Sequence, residues 1–99
     1  MKVENTQDLG LYMQQLKAWA LQHSNELILS SIESAEKTSF TASELIIKYA
    51  ETLKFLKSKL PDELPATLSD QVDAAIRVGL EAVETIEYPK KKRRLFSLG

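Results

Sequence analysis

The chain has no cysteine, a single histidine, three glycines, three prolines and no apolar run long enough to cross a bilayer. Without cysteine there is no disulfide framework and no thiolate zinc site, a composition that suits a reducing compartment. One histidine, His23, supplies only one metal ligand, and no glycine cluster is present to cradle a phosphate. The first seven residues, Met1 to Gln7, lack both the basic start and the apolar centre of a secretory signal. A protein made and kept in the cytosol is therefore expected, or one exported by a route that needs no such signal. No motif in the body of the chain specifies an activity.

What is present fits one small globular unit: 99 residues, 43% apolar and 27% charged. The formal charge of -1 hides a sharp step. Residues 1–89 hold eight bases against fourteen acids, a net of -6, and residues 90–99 hold five bases and no acid. The body alone should repel nucleic acid, so any attraction to phosphate must come from the end of the chain.

Helical periodicity dominates, and no run shows the strict alternation of a half-buried strand. The first helix opens at Asn5 or Thr6, either able to cap with its side-chain oxygen, and Asp8 in the first turn suits the helix dipole. At about 100° per residue, Leu9, Tyr12, Met13, Leu16, Trp19, Ala20, His23 and Leu27 share one side, whereas Ile28, Ile32 and Ala35 point elsewhere. The pattern reaches about Glu36 but predicts a kink or break at residues 23–25, where Ser24 or Asn25 can cap a second segment.

Thr41 and Glu44 have the spacing of a capping box, and Phe40 and Leu45 that of a hydrophobic staple, which predicts a helix over 42–60. Its core stripe is Leu45, Ile46, Tyr49, Leu53, Leu56 and Leu60, and Pro61 ends it. Two prolines stiffen the loop 61–66, and Thr67 or Ser69 can cap a last helix reaching Tyr88, before Pro89. Val72, Ile76, Gly79, Leu80, Val83 and Ile86 are expected to face inward. Ala74, Val78 and Ala82 form a second flank of small side chains, and Asp70, Asp73, Glu81 and Glu84 surround Arg77 on the outside. The expected architecture is all-α: a three-helix bundle over residues 1–88, its first helix broken to give three to four segments, followed by a flexible basic arm over 89–99.

This pattern offers little to catalysis. His23 lies among the residues of an apolar helical face and so reads as a core or boundary residue rather than as the base of a serine or cysteine nucleophile. The carboxylates of the last helix share one surface without a second helix to converge from, so they read as a solvated face. No catalytic group, cofactor or metal site is expected. A helix-turn-helix reader of DNA is disfavoured too, because the connection from Leu60 to Thr67 is too long and the last helix would present acids to phosphate.

Two features remain for function. Ile47 and Phe55 lie off the core stripe of their helix, as Leu11 and Leu21 do on the first, and such surplus apolar surface is covered by another part of the chain, a second copy or a foreign protein. The arm supplies Lys90, Lys91, Lys92, Arg93 and Arg94, followed by the apolar Leu95, Phe96 and Leu98. Five cations can bind phosphates with steep salt dependence, or an anionic membrane surface into which the apolar residues dip. Pro89 to Arg94 resembles a monopartite nuclear-localisation signal, which would imply a nuclear protein. Arg93-Arg94-Leu95-Phe96 resembles the Arg-x-Leu-hydrophobic docking motif recognised by cyclins, which would imply a peptide ligand. The expected function is a non-enzymatic adaptor, inhibitor or regulatory protein acting on another protein or on a second copy of itself. The arm is then an auxiliary electrostatic contact. The alternative is a nucleic-acid accessory protein that binds phosphates through the arm.

Overall fold

A computed structural model describes residues 2–82, and every regular element among them is helical. They are α1 (Thr6–Gln22), α2 (Glu26–Lys37), α3 (Ala42–Leu56), the single turn α4 (Ala66–Ser69) and α5, helical over 72–82. A 3₁₀ turn, Lys57–Lys59, extends α3. The arm over 89–99 and the expected core positions Val83 and Ile86 lie outside the described residues, as does Glu84.

The helix starts follow the side chains that satisfy their first free N–H groups. Asn5 caps α1 by accepting from the Asp8 N–H at 2.9 Å, and Asn25 caps α2 by accepting from the Ile28 N–H at 3.1 Å. Thr41 Oγ1 accepts from the Glu44 N–H at 3.1 Å to open α3. The staple expected beside it does not close, because Phe40 is 90% exposed. α3 stops at Leu56 rather than at residue 60. Pro61 forces Leu60 out of helical geometry, to φ -71° and ψ 135°, and the preceding turn tightens to 3₁₀.

The break between α1 and α2 falls where the two apolar stripes disagree. Leu9, Tyr12, Met13, Leu16, Trp19 and Ala20 of α1 and Ile28, Ile32 and Ala35 of α2 are all buried, which no straight helix over the same residues allows. His23 and Leu27, placed on the same side in the sequence, are instead exposed because the chain has turned away by then. The core continues through Tyr49, Leu53 and Leu56 of α3, with Leu45, Ile46 and Leu60 packed partly buried against it.

The last helical region departs furthest from expectation. Neither Thr67 nor Ser69 caps a long helix. Pro65 opens the turn α4 without a side-chain cap, the chain bends at residues 70–71, and α5 begins at residue 72. Its buried residues are Val72, Ala75, Val78 and Gly79, a face rotated by roughly 60° from the one expected, so Leu80 points outward and Ile76 is only half-buried. The cause lies across the seam. A Cβ on Gly79 would sit 2.6 Å from the Ala50 Cβ, so α5 meets α3 at Gly79, where the missing side chain lets the backbones come this close.

The N-terminal strap closes the other end. Val3 is buried, and its N–H donates to Gln71 Oε1 at 2.9 Å. Tyr12 reaches across the core to donate its hydroxyl to the Leu68 carbonyl at 2.8 Å. Burial raises the Tyr12 hydroxyl far above the ordinary tyrosine range.

Candidate functional site

An open groove of about 600 Å³ lies between α2 and α3. These helices form an antiparallel hairpin whose inner sides fill the core, so their outer sides leave a trough. Ser30, Ser31 and Ser34 of α2 and its C-cap Thr38 form one wall, and Lys48, Glu51, Thr52 and Phe55 of α3 form the other. The α2 wall is low because its side chains are small. Ser30, Ser34 and Thr38 recur every four residues and so stack along one line of the helix.

The cation in the groove is held in place rather than free to swing. Lys48 Nζ donates to both the carbonyl oxygen and Oγ1 of Thr38, each at 2.8 Å, tying α3 to the C-terminus of α2, where a cation suits the helix dipole. Phe55 is 51% exposed, and the Lys59 ammonium lies 4.5 Å from its ring centroid. A half-exposed ring beside cations and hydroxyls is an amphipathic contact surface of the kind found at protein interfaces.

Below the groove, Glu36 joins three helices. Its carboxylate accepts from Lys17 Nζ at 2.6 Å and Gln14 Nε2 at 3.1 Å, both on α1, and from the Tyr49 hydroxyl of α3 at 2.7 Å. Burial pushes the Glu36 carboxyl upward. The hydrogen bonds from Lys17, Tyr49 and Gln14 and the charge of Lys17 outweigh that push and hold it below its ordinary value. Burial, together with the facing carboxylate, drives the Tyr49 hydroxyl well above the usual tyrosine range. Three donors from two other helices meet on this one carboxylate, so the cluster ties α1, α2 and α3 together.

Of the sequence-derived contact residues, only Phe55 lines the groove. Ile47 is half-buried and is not among the lining residues. Leu11 and Leu21 are 52% and 67% exposed, but they stand ten residues apart on α1, about 15 Å along its axis, and so form no single patch. Leu27, Phe40 and Leu80 are further exposed apolar residues. The serine line was visible in the sequence as a four-residue repeat of hydroxyls, whereas nothing local marked Lys59 as a neighbour of Phe55.

His23 is exposed. Its ring stacks on Trp19, centroids 4.3 Å apart at 17°, and Nδ1 donates to the Trp19 carbonyl at 2.9 Å, which fixes that nitrogen as the protonated one. On the outer surface of α5, Asp73 pairs with Lys57 at 2.6 Å, linking α5 back to the end of α3. Among the described residues no three histidine or carboxylate side chains converge to hold a metal, and no helix is long and apolar enough to cross a membrane. The chain thus belongs to the class of small all-helical bundles. Set against family models, curated proteins and solved structures, it matches none.

Proposed function

We propose that this chain is a non-enzymatic protein-contact module, a small adaptor, inhibitor or regulatory subunit, that works through the outer side of the α2–α3 hairpin. The observation that carries the reading is Phe55, half-exposed at the edge of a hydroxyl-lined groove with Lys48 and Lys59 beside it. Aromatic side chains set among hydrogen-bonding groups supply most of the energy at protein interfaces. The basic segment Lys90, Lys91, Lys92, Arg93 and Arg94 serves in this reading as an auxiliary contact that speeds encounter with an acidic partner. A cytosolic setting fits the absence of cysteine.

The competing reading gives that segment the main role, as a binder of nucleic-acid phosphates. Titrating the full chain and a chain ending at Pro89 against a duplex and a single strand, at low and moderate salt, separates the two. A protein-contact module shows no binding at moderate salt in either form. Micromolar binding that vanishes with both salt and truncation overturns the proposal and makes the helices a scaffold for a phosphate-binding arm.

A further inference from the structure

The α3 side of the groove is self-complementary, and we infer that it pairs with the same face of a second copy of this chain. The inference rests on the protein-contact reading above and names its partner. Glu44, Lys48, Glu51, Thr52, Phe55 and Lys59 fall within an arc of about 100° around α3, which borders the buried stripe at Thr52. The position of Lys59, in the 3₁₀ turn, is fixed by its ammonium lying over the Phe55 ring. Read along the helix, the face runs acid, base, acid, hydroxyl, aromatic, base.

The order selects one arrangement. Parallel pairing about a two-fold axis along the helix sets Glu44 against Glu44 and Lys48 against Lys48, like charges facing each other. Antiparallel pairing about a two-fold axis between Glu51 and Thr52 sets each Glu44 against the partner's Lys59, each Lys48 over the partner's Phe55 and each Glu51 against the partner's Thr52. Every contact then occurs twice, as an isologous interface requires. The groups are suitably poised. Lys48 uses two of its three donors on Thr38, leaving one to point outward, and Lys59 covers only one face of Phe55. Ser30, Ser34 and Thr38 leave room on the α2 side for the partner's helix to lie close. With one aromatic ring and exposed ion pairs per copy, the association is weak, with a dissociation constant on the order of 100 µM.

Sedimentation equilibrium of the full chain across about 10 µM to 1 mM tests this directly. The unmodified chain is expected to pass from monomer to dimer in that range. Glu44→Lys and Lys59→Glu each weaken the dimer by about tenfold, because each reversal acts at two symmetric places, and the double reversal restores it to within about threefold. Phe55→Ala weakens it by about tenfold or more, with the helical circular dichroism of each variant compared to exclude loss of fold. A chain that stays monomeric to 1 mM overturns the inference but leaves the groove open to a foreign protein. A dimer indifferent to the charge reversals, or one that the double reversal fails to rescue, overturns the pairing. Salt-sensitive nucleic-acid binding through the arm, by contrast, counts against the protein-contact reading and not against the dimer.

Discussion

The bundle is held along two seams built on opposite principles. Where α1, α2 and α3 meet at Glu36, polar side chains reach across a gap and bond. Where α3 meets α5 at Ala50 and Gly79, the backbones approach until no side chain fits between them. The polar seam is adjustable, since losing one of three donors leaves the carboxylate with two. The close seam has no such reserve. Packed interiors do not compress, so a single added carbon must move a helix.

The largest effect is therefore expected at the smaller residue. Gly79→Val places a branched side chain against Ala50 and the Ile46 carbonyl, and it should cost about 3 kcal/mol or more in urea unfolding. Gly79→Ala carries the 2.6 Å clash alone and gains some helix propensity, so its cost should be lower, about 1–2 kcal/mol. Ala50→Gly in the same chain should recover a good part of that. Additive losses in the double-mutant cycle would show that the two residues do not share this contact.

The two buried tyrosines sharpen the contrast. The Tyr12 hydroxyl donates to the Leu68 carbonyl at 2.8 Å and the Gln71 N–H donates to it at 3.2 Å, so Tyr12→Phe removes the one of these bonds that crosses the core and should cost about 1–2 kcal/mol. Tyr49→Phe leaves Glu36 with Lys17 and Gln14 and should cost about 1 kcal/mol or less. Equal losses in the two variants would mean that the Glu36 cluster has no redundancy.

Acid titration isolates the polar seam. The Glu36 carboxyl is held below its ordinary 4.5 in the folded chain, so its contribution is complete above that value and is lost as pH falls through the lower folded one. Glu36→Gln should flatten the stability profile in that acid window and remove about 1 kcal/mol at neutral pH. An unchanged slope would assign acid sensitivity to other carboxylates. At the alkaline end both tyrosines act with the opposite sign. Their raised values mean stability is intact below pH 10 and declines as the pH rises toward the folded values.

How much of this was legible depends on how far apart in sequence the causes sit. The caps at Asn5, Asn25 and Thr41, the stop before Pro61 and the buried side of α1 are decided within a few residues, and the sequence pattern locates them. The facing of α5 is decided by Ala50, on another helix, so a hydrophobicity count along α5 alone favoured Leu80 over Ala75. Phe40 shows the same limit, because a staple spacing does not say whether the chain approaches at the angle that closes it. Glu36 read as one more acid near the end of a helix. Its partners lie 22, 19 and 13 residues away, and only folding brings them together. Within the candidate site, Phe55 stood out as an off-stripe aromatic, but the groove beside it needed both helices in place.

The smallest expected effect is that of Ser24→Gly, in the turn that lets these seams coexist. Ser24 is the one non-glycine residue at positive φ, 53°, among those described. The reason lies in the hydrogen bonds around it. Its own N–H reaches the Leu21 carbonyl at 3.4 Å, and the next N–H, of Asn25, reaches back to Ala20 at 2.8 Å, the pairing that ends a helix with a left-handed residue. Asn25 then caps α2 at once, so a single residue closes one helix and opens the next. A left-handed serine costs about 1 kcal/mol in backbone strain, while glycine there avoids the strain but loses more entropy on folding. Ser24→Gly should therefore stabilise by only a few tenths of a kcal/mol, and Ser24→Val should destabilise by about 1–2 kcal/mol. A large gain from glycine would mean that the serine strains the hairpin and that the angle between α1 and α2 is set against the preference of the turn. A negligible loss from valine would mean that the Glu36 cluster and the core hold α2 in place without help from the turn.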